Sequence, residues 1–288
     1  MSVKKKGKIS IVRSFRLIDF QFYDKDTSEK SDDSSDEEKY KINRNEKEFI
    51  IQMFGINEKG ETCCIYINDF QPFFYVKVGD KWGQYEANEL KNELSKKVLK
   101  FYSDSIVSCK IVDFYKLYGF SGGKKNKFVK IVFNSISAMN KYKGLWNQYI
   151  NNEVVRKNLH FKKVELELYE SNIPPMLRFM HIKELNSCGW IEVKKDKYIK
   201  GSKREFNVDI VAEVDWNDVQ NYEDTSISKL RILSYDIECT SGDGSFPQAN
   251  RDTDKIIQIG STFSYNGEEE CYFKHIITLG SCDEIEGV

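Results

Sequence analysis

Apolar and polar positions alternate with a period of two over much of this chain, which predicts a protein built mainly of strands. Ile9, Ile11, Phe15 and Leu17 share one parity, and Ile18, Phe20 and Phe22 share the other. Residues 9–23 therefore read as one long strand or two short ones, with a bulge or bend at Leu17/Ile18. Residues 48–78 read as a β-meander in three runs: Phe49–Gly55, then Thr62–Ile67 after the turn Asn57-Glu58-Lys59-Gly60, then Phe70–Val78. The last run contains Phe73-Phe74-Tyr75. Aromatic clusters of this kind stack nucleic-acid bases in some proteins, but a packed core is the default reading. Residues 106–118, 128–133, 190–193 and 206–214 also read as strands.

The period changes in three places. Leu90, Leu94, Val98 and Phe101 form one stripe and predict an amphipathic helix over 86–101. Ser135 predicts an N-cap for a helix through Tyr149, with Ile136, Met139, Tyr142, Trp146 and Tyr149 on one side. Pro174-Pro175 suits a first helical turn, so a third helix is expected to run from there and end before Cys188-Gly189. Residues 24–45, rich in Asp, Glu and Ser, have no apolar period and predict a disordered acidic surface loop. Residues 119–127, with three glycines and three lysines, read as a hairpin loop; they lack the spacing of a phosphate-binding P-loop. The polar stretch 217–228 is the expected domain boundary.

After that boundary comes the run Leu230-Arg231-Ile232-Leu233-Ser234-Tyr235-Asp236-Ile237-Glu238, a strand followed by a Gly/Ser/Asp loop. Side chains alternate faces along a strand. Asp236 and Glu238 thus share one face, while Leu233, Tyr235 and Ile237 share the other and are expected to face a core. The two carboxylates lie roughly 6.6 Å apart along the strand, close enough to lean onto one or two divalent cations. A plain solvated strand face is the alternative. Lys255–Tyr265 and Cys271–Leu279 complete three sequential strands, expected to be antiparallel, with the hairpin signal Asn266-Gly267 between the last two. Three strands without a covering helix cannot bury both faces, so residues 229–288 read as the opening of a domain.

Composition narrows the functions. The chain has 288 residues, enough for two domains, and 40% of them are hydrophobic, which fits a soluble globular protein. Its net charge of −1 removes any bulk electrostatic case for nucleic-acid binding, so such a case rests on local patches. The seven cysteines form no C-x-x-C pair, which argues for free thiols in a reducing compartment rather than a zinc site. The basic start Met1–Lys6 lacks a following apolar stretch, and no apolar run approaches the ~20 residues that span a bilayer. The expectation is an intracellular, soluble protein with no membrane partner.

Several segments resemble one family. Leu230–Cys239 is similar to the first exonuclease motif of the family B DNA polymerases, of the eukaryotic delta type and of large DNA viruses. Phe246-Pro247 and Ile256-Ile257-Gln258-Ile259 fit the same pattern. Upstream, Tyr169–Pro174, Leu177–Met180 and Gly189–Glu192 are similar to the segment preceding that exonuclease. Asp69–Val76 is similar to an N-terminal stretch of the family, with Phe73 where Tyr is usual. The resemblance implies an α+β chain: a mixed N-terminal polymerase domain over 1–228, then the first three antiparallel strands of an incomplete RNase H-like 3′→5′ exonuclease domain over 229–288. It implies that Asp236 and Glu238 are catalytic and metal-binding residues of a two-metal Mg²⁺ site. It implies DNA as partner, as primer-template and as a single-stranded 3′ end, in the nucleus or at a cytoplasmic viral replication site.

The family's later exonuclease motifs and its palm, fingers and thumb modules are not found before Val288. The expectation is therefore an N-terminal fragment of a DNA-directed DNA polymerase of DNA replication, catalytically incomplete by itself, with the remainder of a split polymerase as a further partner. A non-catalytic nucleic-acid-binding or partner-docking module is the alternative. A stand-alone nuclease is the weakest reading, because no second acidic cluster follows.

Overall fold

The computed structural model describes residues 12–26, 47–116, 122–194, 199–200, 206–281 and 283. The first elements are β1 (Val12–Asp26), β2 (Lys47–Ile56), β3 (Thr62–Asn68), β4 (Phe73–Lys77), α1 (Gln84–Lys97), β5 (Ile106–Phe114), β6 (Asn126–Phe133) and α2 (Ile136–Lys143). Then come β7 (Asn147–Ile150), β8 (Glu153–Arg156), β9 (Leu159–Phe161), β10 (Val164–Tyr169), α3 (Pro175–Ile182) and β11 (Trp190–Lys194). The last are β12 (Ile199–Lys200), β13 (Ile210–Asp215), β14 (Val219–Tyr222), β15 (Arg231–Thr240), β16 (Lys255–Tyr265) and β17 (Phe273–Thr278). The fold is α+β, with strands predominating. It divides into two compact units, one ending at Glu223 and the other comprising 224–288 with the short segment 56–62.

The first unit holds two main sheets. One runs β12-β13-β3-β2-β1-β11-β14, the other β5-β6-β4-β10-β9. β1 is a single strand, and it pairs with β11 so that Phe15 lies opposite Ile191. Both are buried, together with Phe49, Ile51, Ile65, Phe70 and Phe179. Each such side chain contributes about 1.5–3 kcal/mol by leaving water. Phe70 anchors this core edge-on against Phe179 at 5.4 Å and Trp216 at 5.5 Å.

The second sheet follows a split β-α-β pattern in which β4-α1-β5 and β6-α2-β10 interleave. Its core is Phe74, Val76, Leu90, Leu94, Ile131, Phe133, Met139, Tyr142 and Trp146. The expected meander over 48–78 is corrected here: β2 and β3 pair in the first sheet, but β4 crosses into the second. Alternation along β4 sends Phe74 and Val76 into one core and Phe73 into the other. Phe73 is 5% exposed and Phe74 fully buried, so these two rings are packing groups, not stacking platforms.

The α2 start follows the sequence expectation. The Ser135 hydroxyl accepts the Ala138 N–H at 3.2 Å. Asp24 adds what the pattern did not show. Its carboxylate accepts the Ile136 and Ser137 N–H groups at 2.8 and 2.9 Å, where a helix end favours negative charge. Asp24 to Asp26 therefore belong to β1 and not to the acidic loop; residues 27–45 of that loop lie outside the described residues.

α2 ends at Lys143, not Tyr149. Gly144–Trp146 form a 3₁₀ turn, and the Trp146 indole donates to the Leu166 carbonyl at 2.7 Å. Tyr149 lies 80% exposed on β7. Asn151 and Asn152 both take positive φ, 50° and 64°, which closes β7 onto β8.

α3 begins at Pro175 as expected. Arg178 on it is buried. Its Nη1 donates to the Glu170 carboxylate at 2.5 Å and its Nη2 to the Glu170 carbonyl at 2.9 Å. The guanidinium lies 4.4 Å from the Phe73 ring centre. The motif residues Glu170, Arg178 and Phe73 thus clamp α3 onto the second sheet.

Candidate functional site

The second unit is one sheet, β15-β16-β17, antiparallel throughout. Each strand matches a predicted run. Gly267 takes φ 86° in the β16–β17 connection, the conformation that made Asn266-Gly267 a turn signal.

Paired residues on adjacent strands share a face. Asp236 lies opposite Gly260, and Gly260 opposite Ile276; Glu238 lies opposite Gln258, and Gln258 opposite Thr278. The carboxylate face therefore reads Ser234, Asp236 and Glu238 on β15, then Gln258, Gly260 and Thr262 on β16, then Lys274, Ile276 and Thr278 on β17. Asp236 and Glu238 stand on that face as expected, and both are exposed. The register slips by one residue just after Glu238, between Glu238 and Cys239. The extra residue is Ile257 on β16, and pairing resumes with Cys239 opposite Ile256 and Thr240 opposite Lys255, so the bulge bends the sheet just beyond the second carboxylate.

The opposite face carries Leu233, Tyr235, Ile237, Ile259, Phe263, Phe273 and Ile277. The expectation that Leu233, Tyr235 and Ile237 enter a core is corrected: they are 53%, 70% and 43% exposed. Among the described residues neither core includes them, because no helix of this unit covers that face.

The loop from Ser241 to Asp254 is closed on itself by two aspartates. Asp254 accepts the Gly242 N–H at 3.0 Å and the Gln248 N–H at 2.9 Å. Those bonds hold its carboxyl below the usual carboxylate range. Asp243 accepts the Ser245 hydroxyl and N–H at 2.6 and 3.0 Å and pairs with Arg251 at 3.0 Å. Its carboxyl is also lowered, first by the Ser245 hydroxyl. Phe246 projects from this loop, 85% exposed. Sequence reasoning placed the loop but missed its internal bonding; the Ser/Asp/Gly spacing of 241–245 is the signal that marks such turns.

Two carboxylates on one strand offer an all-oxygen donor set, which suits a hard divalent cation. They are too few to enclose one: among the described residues no group of three or more His, Cys, Asp or Glu side chains is placed to hold a metal.

The sequence model of the DNA polymerase family B exonuclease domain matches residues 166–287. The chain is 36% identical over 254 residues to a DNA polymerase of Acanthamoeba polyphaga mimivirus, covering 84% of this chain and 14% of that protein. It is 33% identical over 280 residues to a DNA polymerase of Phaeocystis pouchetii virus, covering 92% of this chain and 26% of that protein. The chain belongs to the family B DNA polymerases. It is also 25% identical over 254 residues to a DNA polymerase delta catalytic subunit of Drosophila melanogaster, covering 83% of this chain and 22% of that protein. The fold agrees with a solved family B polymerase of Pyrobaculum calidifontis, at a TM-score of 0.59 and 16% identity, over 93% of this chain and 27% of that one. The chain thus spans about a seventh to a quarter of the family B relatives it matches. No helix among the described residues is long and apolar enough to cross a membrane.

Proposed function

We propose that this chain supplies the N-terminal region of a DNA-directed DNA polymerase of DNA replication, together with the first two carboxylates of its proofreading 3′→5′ exonuclease. Residues 1–228 act as the N-terminal domain. Residues 229–288 open the RNase H-like exonuclease domain, with β15 as its first strand. The observation that carries this reading is the placement of Asp236 and Glu238 side by side on an open strand face, inside the segment matched by the exonuclease family model.

Asp236 and Glu238 are the residues that would hold Mg²⁺. With further ligands beyond these two, bound cations would supply an activated water and would neutralise charge on the leaving 3′ oxygen. The chain's own contribution is to fix two carboxylates at a strand spacing, where the antiparallel pairing with β16 holds their backbone rigid. The substrate is a single-stranded DNA 3′ end, because an unpaired terminus costs least to draw away from its template. The remainder of a split polymerase is the further partner, and the nucleus or a cytoplasmic viral replication site is the place of action.

Paramagnetic broadening tests the metal reading. Mn²⁺ should broaden the amide signals of residues 236–238, and Asp236→Ala should abolish the effect. Uniform, weak broadening across the chain, unchanged in the variant, would count against it. A second reading, a non-catalytic nucleic-acid-binding or partner-docking module, is favoured by the small number of donors. It predicts DNA binding that falls steeply with salt and ignores Asp236→Ala.

A further inference from the structure

A hydroxyl taken out of water costs free energy unless another group bonds it. Ser171, between β10 and α3, is 6% exposed, and its hydroxyl has no hydrogen-bond partner among the described residues. Nor is it walled in, for it opens onto a cleft of about 350 Å³. The cleft belongs wholly to the first unit, of which the carboxylate strand is no part.

Trp146 ties the walls of this cleft together. Its indole donates to the Leu166 carbonyl on β10 at 2.7 Å, and its own carbonyl accepts the Lys157 N–H at 2.9 Å, just after β8. Arg156 ends β8, opposite Asn147 on β7. The charged side chains that line the cleft are Arg156, Lys157, Glu167 and Glu170. Both carboxylates are already matched, Glu167 by Lys77 at 4.0 Å and Glu170 by Arg178. The two cations are not: neither Arg156 nor Lys157 makes an ion pair among the described residues. The unmatched charge of the cleft is therefore positive, and an unbonded hydroxyl lies with it. Asn158 and Asn172 add side-chain amides, and Leu168 and Ile173 an apolar wall. The volume falls at the low end of small-ligand sites, about 300–1,000 Å³.

We propose that this cleft binds a free phosphomonoester of nucleotide size. Arg156 offers a guanidinium fork and Lys157 a point charge to the phosphate oxygens. Ser171 donates to one of those oxygens, which is the partner its hydroxyl otherwise lacks. The amides of Asn158 and Asn172 and the apolar wall take the rest of the molecule. The site needs no metal and does not involve Asp236 or Glu238, so it stands or falls apart from the exonuclease reading.

The test uses the isotope-labelled full chain without metal, read by amide shifts. The probes are inorganic phosphate, thymidine 5′-monophosphate, thymidine and a single-stranded oligothymidylate. Phosphate and the monophosphate should shift Lys157, Ser171 and Asn172 saturably, the monophosphate at lower concentration, and thymidine should leave them in place. Arg156→Gln should weaken monophosphate binding by at least about tenfold, through loss of a charged hydrogen bond. Lys157→Gln and Ser171→Ala should weaken it several-fold. Ser171→Ala should also keep or raise the urea midpoint, because it deletes a buried hydroxyl that is unbonded in the free protein; a serine with a structural role would lower it. Lys163→Gln, on the exposed turn between β9 and β10, should bind like wild type. No saturable shifts with phosphate or the monophosphate would mean that water alone fills the cleft, and would overturn the proposal. So would binding of the oligonucleotide alone, or thymidine binding as tightly as its monophosphate. Weakening by Lys163→Gln equal to that by Arg156→Gln would mark diffuse attraction to surface charge and would overturn it too.

Discussion

The Glu170–Arg178 clamp allows a stability argument to be made with a definite order of effects. Arg178 is 7% exposed, and its charge is met by one carboxylate, one carbonyl and the Phe73 face. Its Nε has no partner. Glu170→Ala removes the carboxylate and leaves a buried cation with only a neutral acceptor. Breaking a buried pair costs about 3–5 kcal/mol. Here the Glu170 side chain is 49% exposed, so water and the remaining carbonyl recover part of that loss. About 2–3 kcal/mol remains. Glu170 has φ 55°, a strained region for Glu and Ala alike, so backbone strain cancels in the comparison. Arg178→Met removes the buried charge together with its unpaired Nε and keeps an unbranched apolar stem over Phe73. Replacing a buried ion with an apolar group of similar length is close to neutral, about 1 kcal/mol or less. All four tryptophans, Trp82, Trp146, Trp190 and Trp216, lie in the first unit, so their fluorescence follows that unit's unfolding in urea. With a slope of about 2–3 kcal/mol/M, Glu170→Ala should lower the midpoint by about 1 M and Arg178→Met by much less. An Arg178→Met midpoint as low as that of Glu170→Ala would refute the reasoning, because the clamp would then act through packing and not through charge.

Three more outcomes are expected. Asp243 and Asp254 have lowered carboxyl pKa values, so their contribution is present above the ordinary carboxylate pKa and is lost as pH falls through their folded values. Hydrogen-exchange protection at the Gly242 and Gln248 amides should therefore persist through mild acid, collapse only below the usual carboxylate range, and vanish at neutral pH in Asp254→Ala. Ser135→Ala should cost about 1 kcal/mol through the lost α2 cap, and Asp24→Ala a similar amount, both read as urea midpoints by tryptophan fluorescence. Burial pushes the Cys63 and Cys109 thiols up to about 12, whereas Cys188 and Cys271 are exposed. A thiol reagent at pH 8 should label Cys188 and Cys271 at once and reach Cys63 and Cys109 only on unfolding, as mass mapping would show.

The carboxylate strand was legible early because a strand's period is short and local. Counting by two put Asp236 and Glu238 on one face before any partner strand was known. Ser135, Pro175 and Asn266-Gly267 were legible for the same reason: caps and turns are settled within a few residues by hydrogen bonding and allowed φ. Failures came where a segment's fate depends on distant partners. The apolar run 48–78 shows three strands but not that β4 leaves for another sheet. The stripe ending at Tyr149 was read as helix because Trp146 fits a helical period, whereas its indole is claimed by Leu166, twenty residues on.

At the candidate site the division is the same. The sequence by itself determined the two carboxylates, their shared face and, through several matching segments in order along the chain, the resemblance to the family. Tertiary structure alone decided what stands across from them. A glycine at 260 is one of seventeen in the chain, and a lysine at 274 one of many. Only the register of β15 on β16 and of β16 on β17 sets one beside Asp236 and the other on the same face, because cross-strand neighbours are chosen by pairing and not by distance along the chain.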